Sequence, residues 1–180
     1  MRNILLTGRP GIGKTTLILK VVKTLNVDAR GFYTQEIRKG NARVGFEIVE
    51  IGSDHARRGV FAHTDFNKRY KVGRYGVNIS ILEDIGVKTI DKGIEEKKVI
   101  IIDEIGKMEL FHSEFLKILE RIIDSDNIVL ATISYRMTEL LAKFGNRSDA
   151  LIFNLENAPK DTRKRKELKE KILKSILKRL

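Results

Sequence analysis

The spacing Gly8-Arg9-Pro10-Gly11-Ile12-Gly13-Lys14-Thr15 fits G-x-x-x-x-G-K-[ST], a loop that wraps phosphate. The residue types explain the chemistry. Glycines let successive backbone N–H groups converge on an anion without Cβ clashes. Lys14 can bring a point charge to the β- and γ-phosphates, and the Thr15 hydroxyl can ligate Mg²⁺. Counted through Thr16, this stretch is a candidate nucleotide cradle. A glycine-rich turn without a ligand is the plainer reading of the same pattern. Phosphate binding alone hydrolyses nothing; a second acid must complete the metal shell and a base must activate water. Ile100-Ile101-Ile102-Asp103-Glu104 offers both. Asp103 closes an apolar run and would sit by the metal, while Glu104, one residue on, can face the γ-phosphate as general base. Two solvated acids at a strand end is the bland alternative.

These residues need elements to position them. Residues 3–7 are a short apolar run that reads as a buried strand, and residues 16–25 read as an apolar helix, so the glycine loop has the flanks its motif requires. Residues 31–38 and 43–50 have strand composition around a turn at 39–42, which predicts a β-hairpin. Residues 59–63 and 70–79 read as further short strands, making 31–79 an antiparallel meander inserted early in an α/β protein. Ser80 is read as the cap of a helix running towards Glu96, weakened by Gly86 and Gly93. Residues 98–103 are the clearest strand, apolar enough to be buried on both faces. A helix over 113–123, a strand over 127–133, a helix over 136–144 and a strand over 150–154 complete the alternation. That alternation predicts one α/β domain over 1–180, with a parallel sheet covered on both faces.

Composition narrows the class. There are 180 residues, 42% of them apolar, which suits a single well-packed domain. No apolar run is long enough to span a membrane, and the first strand begins too early to leave room for a signal peptide. With no cysteine, disulfides and thiolate metal sites are excluded, and a cytoplasmic enzyme is the expectation. High Lys, Glu and Ile content is similar to that of thermophile proteins. The formal charge of +11 is uneven: residues 160–180 hold ten Lys or Arg against three Asp or Glu. There Leu168, Ile172, Leu173, Ile176, Leu177 and Leu180 recur at helical spacing. The segment reads as a helix docked on the core with a solvated basic back; nucleic-acid or anionic-membrane binding is the competing reading.

Four segments resemble a known family in order and spacing. They are 31–36 (GFYTQE), 43–46 (RVGF), 72–78 (VGRYGVN) and 102–111 (IDEIGKMELF). With the P-loop they resemble the nucleoside-triphosphatase family of thermophilic bacteria and archaea, whose mammalian member is called cancer-related nucleoside-triphosphatase. The resemblance spans residues 2 to about 155. It implies a RecA-like core and Mg²⁺-dependent hydrolysis of several nucleoside triphosphates (ATP, GTP, CTP, UTP) to the diphosphate and phosphate. It also implies nucleotide contacts from the 8–15 loop and from Val99, Ile100, Ile101, Ile102, Asp103, Glu104, Ile105 and Gly106. Arg9-Pro10 replaces a frequent pair of prolines, and Arg74 a frequent Lys.

Other assignments stay open. Asp103-Glu104-Ile105-Gly106 satisfies the D-x-x-G of GTPases, but no N-K-x-D follows, and Asn67-Lys68-Arg69-Tyr70 lacks the Asp. Loose base selectivity is therefore expected. Arg74, Lys107, Arg136 and Arg147 are candidate cations for the transferring phosphoryl, the first two favoured by their family-like segments; a neighbouring subunit's arginine is another source. Phe32, Tyr33 and Tyr75 can stack on a base, although aromatics in a sheet usually fill the core. His55, His63 and His112 lack metal-ligand spacing. A nucleoside or nucleotide kinase needs a lid, for which Arg57-Arg58 is a thin signal. A nucleic-acid-coupled switch on the same cradle is the third reading.

Overall fold

The computed structural model describes residues 2–67 and 69–180; Lys68, in the 67–70 stretch weighed above, lies outside them. Among the described residues, a nine-stranded sheet forms the centre. Its strands are β1 (Asn3–Thr7), β2 (Ala29–Lys39), β3 (Ala42–Ile51), β4 (Arg58–His63), β5 (Lys71–Val72), β6 (Tyr75–Val77), β7 (Val99–Ile105), β8 (Val129–Ile133) and β9 (Ala150–Asn154). The order across the sheet is β5-β6-β4-β3-β2-β7-β8-β1-β9. From β2 to β9 all neighbours run parallel; from β2 to β5 all run antiparallel.

The meander is thus an extension of the core sheet. β2 belongs to both halves: Phe32 pairs with Ile102 of β7 on one side and with Glu50 of β3 on the other. The expected strand over 70–79 is instead a small hairpin, β5 and β6, turned at Gly73 with φ of +57°. Gly40 and Asn41 alone connect β2 to β3.

Alternation along the parallel strands sends side chains into two cores. Ile4, Leu6, Val99 and Ile101 face α1 (Lys14–Leu25) and, further along the chain, α6 (Arg163–Leu177). Leu5, Ile100 and Ile102 face the other side. There the helical run 79–95 is split into α2 (Ile79–Ile81), a π-helical turn Leu82–Val87 and α3 (Lys88–Glu95), followed by α4 (Ser113–Asp124) and α5 (Thr138–Gly145). The helix begins at Ile79, after Asn78, rather than under a Ser80 cap. Its glycines are packing devices. A Cβ at Gly93 would stand 2.5 Å from Ile100 Cδ1, and one at Gly86 would stand 3.1 Å from the Phe32 ring. The helix approaches β2 and β7 this closely because those side chains are missing.

On α6, Ile172, Leu173 and Ile176 are buried against α1, so the C-terminal helix docks on the core. Leu177 and Leu180, expected on that face, are instead 58% and 65% exposed. The helical run ends at Leu177, and the last turn passes beyond the edge of the core. Among the described residues, no helix is long and apolar enough to cross a membrane.

Candidate active site

The site lies at the C-terminal ends of the parallel strands, where open α/β sheets bind ligands. One strand, β8, separates the P-loop strand β1 from β7, which brings in Asp103 and Glu104. The 8–13 loop turns directly from β1 into the N-terminus of α1. Gly11 and Gly13 have φ of +77° and +93°, in the left-handed region that glycine adopts without a Cβ penalty. Lys14 folds back over the loop, its Nζ donating to the Gly8 carbonyl at 3.0 Å.

Alternation puts Asp103 on the same face as Ile101, towards α1. Its carboxylate accepts Thr15 Oγ1 at 2.6 Å and, from the intervening strand, Thr132 Oγ1 at 2.6 Å. The β7–β8 register shifts between Ile102 and Ile105, and in that break Glu104 reaches Lys14: Oε2 is 3.0 Å from Nζ. Two segments 90 residues apart in sequence thereby meet through two contacts, Thr15–Asp103 and Lys14–Glu104.

The electrostatics are unbalanced. Burial pushes the Asp103 carboxyl up to about 6, although the Thr132 and Thr15 hydroxyls favour its charged form. A third carboxyl, Glu109, sits beneath the turn that follows β7. Burial pushes it up to about 8, with Glu104 and Asp103 adding repulsion. Its Oε2 accepts the Gly106 N–H at 3.0 Å, tying down the turn that follows Glu104 and the end of β7. Thr7, at the end of β1, is buried with its hydroxyl unpartnered.

A segment near the C-terminus closes one side of the loop. Glu156 accepts the Arg9 N–H at 2.8 Å, and Arg165 donates to the Ile12 carbonyl at 3.2 Å. Between them the Lys160 stem lies on Gly13, where an added Cβ would come 2.7 Å from Lys160 Cε. Sequence reasoning found none of Thr132, Glu109, Glu156, Lys160 or Arg165 as site residues. Glu109 had a signal, since it stood inside a quoted family-like segment. The others depend on which strands are neighbours.

The remaining sequence candidates separate clearly. Lys107 is exposed on the turn after β7, and Arg136 is exposed beyond β8, donating to Tyr135 Oη at 3.0 Å. Arg74 is engaged in the meander with the Arg43 carbonyl and Tyr75 Oη. Arg147 lies at the opposite edge of the sheet, bonded to Asp124, Asp149 and the Ile123 carbonyl. Phe32 is fully buried against Phe115, and Tyr75 is buried with its hydroxyl held by Arg43 and Arg74. Tyr33 is half-buried and in register with Asp103. Arg57 binds Glu50, Thr89 and the Asp84 carbonyl, fastening the meander to the helical run rather than forming a lid. His63 accepts the Asp65 N–H, His112 meets Glu83, and His55 is exposed. Among the described residues, no three His, Cys, Asp or Glu converge as metal ligands.

A mixed sheet flanked by helices, a P-loop, and an Asp-Glu pair one strand away define a P-loop nucleoside-triphosphatase. Comparison with known proteins gives the family. Residues 3–173 match the family model described as NTPase, and the chain belongs to that family. It is 46% identical over 152 residues to the nucleoside-triphosphatase THEP1 of Thermotoga maritima, covering 84% of this chain and 85% of that protein. The THEP1 of Methanocaldococcus jannaschii is 37% identical over 177 residues, 97% of this chain and 96% of the relative. The crystal structure of THEP1 from Aquifex aeolicus superposes with a TM-score of 0.80 at 35% identity, covering 96% of this chain and 97% of that one. The solution structure of a human cancer-related nucleoside triphosphatase superposes with a TM-score of 0.76 at 31% identity, covering 98% and 97%.

Proposed function

We propose that this protein, acting as one domain over residues 1–180, hydrolyses nucleoside triphosphates to the diphosphate and phosphate with loose base selectivity. The observation that carries the reading is the double closure of the P-loop onto β7, Thr15 on Asp103 and Lys14 on Glu104. The triphosphate lies along the 8–15 loop, held by backbone N–H groups and the start of α1. Glu104 takes a proton from water as its oxygen attacks the γ-phosphorus. The bond from that phosphorus to the β–γ bridging oxygen breaks, and Lys14 stabilises charge on the departing diphosphate.

Thr15 and Asp103 suit Mg²⁺. Both offer hard oxygens in mutual contact, and this cation takes few protein ligands beside phosphate oxygens and water. When bound, the ion neutralises charge on the β- and γ-phosphates. Thr132 orients the second Asp103 oxygen, and Glu109 anchors the turn behind Glu104.

Phosphate release from ATP, GTP, CTP and UTP in turn, without any acceptor, tests the proposal. Comparable release from all four is expected. Phosphate appearing only as transfer to an added nucleoside or nucleotide would make the protein a kinase instead.

A further inference from the structure

We propose that Lys160 is a nucleotide-binding residue, delivering a cation to the phosphate chain from the segment between β9 and α6. The proposal rests on the reading that the triphosphate occupies the 8–15 loop. Three observations carry it. The Lys160 stem lies flat on Gly13, whose backbone N–H belongs to the phosphate cradle, and the ammonium is one bond beyond the Cε that covers it. The segment is anchored to the loop independently of Lys160. Glu156 holds the Arg9 N–H on one side, and Arg165 bridges the Ile12 and Ala158 carbonyls on the other, at 3.2 and 2.6 Å. Thr162 caps α6 immediately after, accepting the Arg165 N–H. Lys160 is therefore fixed over the loop by its neighbours rather than resting there by chance.

The third observation is charge. Lys14 is paired with Glu104, while Arg74 and Arg147 are held away from the loop by their own partners. Lys160 is exposed, and among the described residues no carboxylate pairs with it. A phosphate oxygen satisfies that ammonium with a charge-assisted hydrogen bond. Lysine suits the task because a flexible point charge demands no particular base or fixed donor fork.

Equilibrium titration of a fluorescent nucleoside diphosphate with Mg²⁺ tests this on the full chain. Lys160→Met keeps the stem over Gly13 and removes only the charge. It should weaken binding about tenfold, the scale of one exposed charge-assisted hydrogen bond, and flatten the salt dependence, while the melting temperature stays that of the wild type. Lys160→Arg should recover most of the affinity. Wild-type affinity in Lys160→Met overturns the proposal. Tighter binding also overturns it, since Lys160 would then be screening the cradle. Lys14→Ala separates this from failure of the underlying reading. If Lys14→Ala binds like the wild type, the nucleotide is not in the 8–15 loop at all.

Discussion

The two ends of the parallel strands treat carboxylates in opposite ways. At the N-terminal ends several are matched to cations at the surface. Arg2 pairs with Asp126, Arg147 with Asp149 and Asp124, Arg30 with Glu96, and Lys98 with Asp28. Guanidinium and ammonium partners hold Asp149, Glu96 and Asp28 below their ordinary range. At the C-terminal ends Lys14 pairs with Glu104, Asp103 has hydroxyl partners and Glu109 a backbone N–H, and burial pushes Asp103 and Glu109 upward. One end is arranged to be stable. The other holds acids in a state that a bound cation would relieve, the usual signature of a working site.

Substitutions can break this contrast, and the largest effect belongs to the reacting end. Glu104→Gln should lower turnover about 100- to 10,000-fold while nucleotide titration stays near wild type. Turnover within a few-fold of wild type would remove Glu104 as the base. Lys14→Ala should cost at least about 100-fold in kcat/KM and weaken binding as well, because it removes a phosphate contact and leaves Glu104 unpaired.

The pH dependence of stability comes next. The unfolded chain loses the Glu109 proton near 4.5, the folded chain near 8. The native state therefore binds more protons between those values, and stability falls as pH rises through them. Urea unfolding with chelator and no nucleotide should show a loss of about 3 to 4 kcal/mol from pH 5 to 8. Glu109→Gln should flatten most of it, whereas an unchanged slope would refute the buried acid as its source. The N-terminal end has the opposite sign. Asp149 is held low, so its contribution is present above its ordinary pKa near 3.8 and fades as the solution is acidified below it. Arg147→Ala should cost about 1 kcal/mol near neutrality and leave kcat unchanged, since the Ile123 carbonyl also loses its donor. The smallest effect belongs to Asp28→Asn. Both unfolding and turnover should match the wild type, because that side chain is 83% exposed.

What could be read from the chain follows how far each feature reaches in space. The P-loop and the Asp103-Glu104 pair are contiguous motifs, and the α/β alternation comes from local periodicity. Thr132 was invisible because its role exists only once β8 lies between β1 and β7. In the sequence Gly86 and Gly93 read as weak points of a helix. Their purpose needed the distance to Phe32 and Ile100. Arg74 and Lys107 looked equivalent in sequence, yet one is tied up by Arg43 and Tyr75 while the other borders the site. The C-terminal basic run read as a docked helix, but its link to the P-loop through Glu156, Lys160 and Arg165 spans about 150 residues and leaves no local trace.

The position of β1 bears on how the molecule is made. Among the described residues, β1 pairs only with β8 and β9, the last two strands. During synthesis its five buried residues find no hydrogen-bonded neighbour until residues 129–133 have emerged, and none on the other side until 150–154. The β2–β3 hairpin, closed by two residues, can assemble long before that. The phosphate loop is encoded well before the strands that flank β1, so a nascent chain displays a finished hairpin beside an apolar strand still awaiting its partners.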